Sequence, residues 1–131
     1  FGISKPNNTK VLFDTADELG VTTVLDTELA EMTVREAAQR ALAAVEGDRP
    51  IHLSIDLDVL PAAVAPGVSA PAGFGVEYAT LRAMVAAVAS TGRVALLDVV
   101  ELNPDFDVDN RTAKAAARLI DDAVVGAKLR R

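Results

Sequence analysis

The chain has 131 residues, half of them hydrophobic, with no cysteine, a net charge of −6 and a pI near 4.7. That length has room for one domain with a single core. The acidic surplus repels nucleic-acid phosphates and anionic lipid, no apolar run reaches the roughly 18 residues of a membrane span, and an oxidised cysteine scaffold is excluded.

One tyrosine, four phenylalanines and no tryptophan leave few platforms for stacking bases or sugars. Neither nucleic acid nor membrane is therefore expected as a partner. Phe1-Gly2-Ile3-Ser4-Lys5 lacks the charged start and long apolar stretch of a secretory signal, so a reducing, cytoplasmic setting is the expectation.

In chain order, Phe1 to Ile3 suits a strand end, and Asn7 to Thr9 offers caps for a helix through about Leu19 that Gly20 stops. The β-branched run Val21 to Leu25 reads as a strand. Thr33-Val34-Arg35-Glu36 has capping-box spacing and opens a helix through Glu46, with Ala37, Ala38, Ala41, Leu42 and Val45 as its buried stripe. After the turn Gly47 to Pro50, Ile51 to Asp56 reads as an apolar strand buried on both faces.

Val59 to Gly75 is a long irregular stretch carrying Pro61, Pro66, Gly67, Pro71, Gly73 and Gly75, and ordered loops of that length are usually functional. A helix from about Glu77 to Ser90 stops at Gly92, and Val94 to Leu102 reads as a second buried strand that breaks at Asn103-Pro104. A last amphipathic helix, about Arg111 to Gly126, is expected to be capped by Asp109 or Asn110 and to expose Arg111, Lys114, Arg118 and Asp122. The basic tail Lys128 to Arg131 suits a helix C-terminus. Strands alternating with helices predict an α/β fold with a parallel sheet flanked by helices.

In open parallel sheets, ligands gather beyond the carboxyl ends of the strands. Alternation along a strand places Ser54, Asp56 and Asp58 on one face, and two carboxylates so close repel unless a cation lies between them or one keeps its proton. Oxygen donors of this kind suit Mn²⁺ or Mg²⁺. The alternative is that both merely cap the following loop in water.

Glu101 ends the second strand, where a carboxylate could accept two N–H groups of an amidinium or guanidinium in a fork, or serve as a loop anchor. Asp98 points to the opposite face by alternation and is expected to be structural. His52 is the lone histidine and reads as a packed core or edge residue. No Gly-rich phosphate loop or nucleophile-elbow motif is present.

Ser54-Ile55-Asp56-Leu57-Asp58-Val59-Leu60, then Ala65-Pro66-Gly67-Val68-Ser69-Ala70-Pro71, then Asp98-Val99-Val100-Glu101-Leu102-Asn103-Pro104 resemble signatures of the ureohydrolases, the arginase, agmatinase and formimidoylglutamase family of binuclear manganese hydrolases. Phe1 to Ser4, Asn8-Thr9, Leu12-Phe13 and Ala16 to Gly20 look most like the formimidoylglutamase branch, as do Val68 and Ala70 where arginases tend to have threonines.

The resemblance implies an arginase-like three-layer fold, with residues 1–131 as the C-terminal part of a single ureohydrolase domain. It implies Asp56 and Asp58 as ligands of manganese, two ions in the complete enzyme, and Glu101 as the residue orienting the substrate. Asp58 and Glu101 are thereby the implied catalytic pair.

The implied reaction is hydrolysis of N-formimidoyl-L-glutamate to L-glutamate and formamide, a step of histidine breakdown, by water activated at the metals. Homo-oligomers are implied for the complete enzyme. The family's other ligands come from a glycine-rich motif ending in His and a D-A-H-x-D motif, neither present here. The chain therefore reads as a fragment or truncated product lacking the N-terminal part of its sheet, with weak metal binding and no appreciable catalysis in isolation. Agmatinase or another guanidino hydrolase is the enzyme alternative, and a non-catalytic α/β module binding a cation or partner is the other. Asn7, Asn8 and Arg111 are possible substrate contacts.

Overall fold

The computed structural model of the chain describes residues 1–128, so most of the basic tail, Leu129 to Arg131, lies outside the described residues. Helix α1 (Lys10–Glu18) follows extended Thr9 and ends as expected before Gly20, whose φ of 69° is a conformation glycine adopts freely. Val21 to Leu25 does not become a strand. Its one ladder contact is a parallel bridge between Leu25 and Ile3, because the 3₁₀ turn Lys5–Asn7, with Pro6 inside it, carries the partner segment away. The chain instead enters a helix that sequence pattern did not reveal, α2 (Asp26–Glu31), where the Glu28 carboxylate accepts the Leu25 N–H at 2.7 Å.

The Thr33–Glu36 capping box forms in both directions, with Glu36 N–H donating to Thr33 Oγ1 at 3.3 Å and Thr33 N–H to Glu36 Oε2 at 2.7 Å. It opens α3 (Val34–Ala44), which ends short of Glu46 with β-branched Val45 outside helical geometry. Ala37 and Ala41 are buried as expected, whereas Leu42 is exposed.

Strands β1 (Ile51–Asp56) and β2 (Val94–Val100) pair in parallel, with Ile51 opposite Val94 and His52 opposite Leu96, so Ala95 is an extra residue in the ladder. From there the register runs unbroken to Asp56 opposite Val100.

Helix α4 (Tyr78–Ala89) packs between α3 and α5 (Arg111–Lys128). Met84, Val85, Val88 and Leu119 meet Leu53, Ile55, Leu97 and Val99 on one side of the sheet. His52, Ser54, Leu96 and Val100 on the other side are exposed. The described residues thus form two layers rather than three, and the strands are buried on one face rather than both. Two strands with helices on one side leave the second face without cover. Among the described residues no helix is long and apolar enough to cross a membrane.

Val59 to Gly75 is irregular as expected, and its return is tied by a Pro61–Ala72 bridge and a 2.8 Å bond from Val76 N–H to the Val59 carbonyl. A Cβ on Gly75 would sit 2.7 Å from the Pro61 nitrogen, at a φ of 74°.

Helix α5 is capped by neither Asp109 nor Asn110. Both have φ of 55° and turn the chain, while Asp107 reaches forward to accept the N–H groups of Thr112 and Ala113 at 2.9 and 3.0 Å. Although desolvation opposes it, those bonds hold the Asp107 carboxyl below the usual carboxylate range. Asp107→Ala is expected to lower the urea midpoint of unfolding with an unchanged slope. Asp122 also departs from expectation, since its side chain is only 12% exposed and takes a two-pronged bond from Arg82 at 2.6 and 2.9 Å.

Candidate metal centre

Because β1 and β2 are parallel, their carboxyl ends lie side by side and bring the Asp56–Asp58 segment and Glu101 to one end of the sheet. Asp56 ends β1, but Asp58 is no longer in the strand. Residues Leu57–Val59 form a 3₁₀ turn in which Asp58 N–H donates to Asp56 Oδ1 at 3.0 Å. The two carboxylates therefore meet through a local turn rather than through strand alternation.

Both line a cavity of about 480 Å³ whose other polar walls are Ser4, Asn7, Asn8 and Asp26, with Ala70 from the long loop. Among the described residues no lysine or arginine lines it. Asp58 feels this directly: burial, then the charge of Asp56 and its hydrogen bond, then the charge of Glu101, push its carboxyl up to about 6. A second cavity of about 260 Å³ along β1 has mainly apolar walls, including Leu53, Met84 and Val88, and suits packing better than chemistry.

Glu101 has left the strand, with a φ of 68°, and stands within electrostatic reach of Asp58 without lining the cavity. Asp98 stays in the strand and bridges β2 to β1, accepting Ser54 Oγ at 2.5 Å and pairing with His52 Nε2 at 2.5 Å. These bonds, Ser54 first, hold its carboxyl below its ordinary value. Of the core and edge readings, His52 takes the edge one, since its side chain is 55% exposed and β1 is one of only two strands described.

Asn7 and Asn8 reach the cavity. Arg111 does not, its guanidinium facing the Ala63 carbonyl at 3.5 Å. Asp26 was not anticipated as a site residue, although it is 4% exposed and lines the cavity. Its signal was an acid closing the β-branched run Val21 to Leu25, the same pattern that marked Asp56. Among the described residues no cluster of three or more His, Cys, Asp or Glu side chains could hold a metal ion.

A family model described as arginase family matches residues 1–126. The chain belongs to the arginase family. Among arginase-family relatives it is 53% identical over 119 residues to a formimidoylglutamase of Nocardia farcinica, an alignment covering 91% of this chain and 37% of that protein. The crystal structure of a Bacillus subtilis formimidoylglutamase superposes with a TM-score of 0.89 at 28% identity, over 98% of this chain and 41% of that one.

A Trypanosoma cruzi formiminoglutamase, crystallised with Mn²⁺, shares the fold with a TM-score of 0.85 at 21% identity, over 96% of this chain and 43% of that one. The chain spans 37–38% of the length of two curated formimidoylglutamases it matches. The α/β architecture with a parallel sheet is thus that of a part of the arginase-like fold.

Proposed function

We propose that the complete protein hydrolyses N-formimidoyl-L-glutamate to L-glutamate and formamide in a manganese-dependent reaction, and that the 131-residue chain carries part of that active site. The observation that carries this reading is the Asp56–Asp58 pair, held by one turn in the wall of a cavity that Asp26, a third carboxylate, also lines and that no lysine or arginine among the described residues lines. Its similarity to formimidoylglutamases at about half identity supports the choice of substrate.

The donor set fits the metal, since anionic oxygens that crowd one another suit a hard divalent cation. Asp56 and Asp58 would hold it. When bound, such a cation acidifies water to supply a nucleophile at neutral pH and polarises the amidine. Glu101 would accept amidinium N–H groups and turn the formimidoyl carbon toward that water. The Ser4 hydroxyl and Asn7 amide, which line the same cavity, would meet the polar remainder of the substrate.

Asp26 favours a second reading. N-formimidoyl-L-glutamate offers two carboxylates and no ammonium group, whereas a guanidino amine such as agmatine would place an ammonium beside this buried acid. The deciding assay follows formamide or urea release by the complete polypeptide, stripped of metal and reloaded with Mn²⁺, on N-formimidoyl-L-glutamate, agmatine and arginine in competition. The expected kcat/KM for the formimidoyl substrate exceeds the others by at least about 100-fold. Preference for agmatine would establish the second reading, and no turnover on any of them would leave a non-catalytic module. The 131-residue chain by itself is expected to show no measurable turnover.

A further inference from the structure

We propose that Asn103 is a positioning residue, which clamps the segment after β2 onto the long loop, holds Glu101 in a left-handed backbone conformation, and so ties the direction of the Glu101 carboxylate to the loop wall of the cavity at Ala70. The proposal rests on the role given to Glu101 above.

Val100 sits opposite Asp56 in the parallel ladder, so it shares that face of the sheet. A strand continuing one residue further would send Glu101 to the opposite face, among Leu97 and Val99 and under the helices. At Glu101 φ is instead 68°, a conformation that disfavours residues with a Cβ and persists only where neighbouring structure imposes it.

What imposes it lies two residues on. Asn103 N–H donates to the Gly67 carbonyl at 2.8 Å, Asn103 Nδ2 donates to Ser69 Oγ at 3.2 Å, and Asn103 Oδ1 accepts Asp105 N–H at 3.2 Å to open the 3₁₀ turn Pro104–Phe106.

The loop side of the clamp is equally fixed. Gly67 N–H donates to the buried Thr112 hydroxyl at 2.8 Å, and an added Cβ on Gly67 would lie 2.5 Å from the Asp107 Cβ. Loop, post-strand turn and α5 N-terminus thus interlock at one glycine. Ser69, at the far end of the Asn103 side chain, adjoins Ala70 in the cavity wall. A shift of the loop therefore moves the wall and Glu101 together.

The test is a double-mutant cycle of Asn103→Ala and Glu101→Ala in the complete protein, measured as kcat/KM with Mn²⁺ affinity followed in parallel. The expected result is that N103A lowers kcat/KM about 10-fold or more in the wild-type background, retains Mn²⁺ affinity, and adds nothing once Glu101 is alanine. Multiplying losses would overturn the coupling while leaving Glu101 its role. An E101A variant as active as wild type would instead overturn the role of Glu101 and, with it, the coupling.

A second comparison reads the backbone without activity. E101G is expected to melt about 2 °C above E101A, because glycine accepts the left-handed position, and the gap is expected to close when N103A is added. Equal melting of E101G and E101A would overturn the claim that the clamp imposes this conformation.

Discussion

In the complete protein, Asp58→Asn is expected to lower Mn²⁺ affinity by at least about 100-fold and to take turnover with it, because even residues that only support metal ligands cost 10–100-fold when changed. Asparagine keeps the shape of the side chain and removes its charge, so packing in the Leu57–Val59 turn is preserved and the backbone bond from Asp58 N–H to Asp56 Oδ1 is untouched. The same substitution removes a carboxylate that burial and two acidic neighbours oppose. The metal-free D58N protein is therefore expected to melt no lower than wild type. Titration of Mn²⁺ by the electron paramagnetic signal of the free ion measures the first effect, and calorimetric scanning the second. Unchanged affinity with lowered melting would assign Asp58 a structural role and remove it from the metal site.

The second large effect is on pH. Because Asp58 keeps its proton up to about 6, Mn²⁺ must displace that proton in mildly acidic solution. Apparent affinity is expected to be flat above about pH 7 and to fall about tenfold per pH unit below 6, the slope of one competing proton. D58N, whatever affinity it retains, is expected to lose that slope.

The metal-free fold should show the mirror image. A carboxyl whose folded pKa is raised from 3.8 to about 6 contributes stability at acid pH that is lost as pH rises between those values. Asp98, Asp107 and Asp122 act in the opposite sense, their carboxyls being held below the ordinary value by hydrogen bonds, so their contribution is present above the unfolded pKa of 3.8 and is lost as pH falls through their folded values. The two groups of carboxyls occupy separate pH windows. Thermal melts from pH 3 to 7, with and without Mn²⁺, separate them: added metal should raise stability more at pH 7 than at pH 5. An equal effect at both would contradict the linkage.

Much of this was legible in the residue order. Capping-box spacing located α3, glycines marked the ends of α1 and α4, and apolar runs between breakers located β1 and β2. The elements that escaped were those whose local pattern is outvoted by neighbours. Val21 to Leu25 has the composition of a strand but forms only a single bridge, at Leu25, and α2 is too short for helical periodicity to show. Asp107 was hidden as a cap because it stands outside the usual spacing, with two left-handed residues between it and the helix it serves.

Residue order alone shows carboxylates at or just beyond the ends of both strands, an irregular proline- and glycine-rich loop after the first, and a resemblance to the ureohydrolases. Those are matters of residue type and spacing, which chain order carries directly. Tertiary structure decided which side chains meet. Asp58 joins Asp56 through a turn rather than a strand face, Asp26 enters the same cavity from a distant helix, and Glu101 is redirected by a backbone conformation imposed from Gly67. Electrostatic crowding and close backbone approach depend on distances through space. The bonds that join the loop to the post-strand turn and to α5 link residues more than 30 positions apart, and no local pattern encodes such distances.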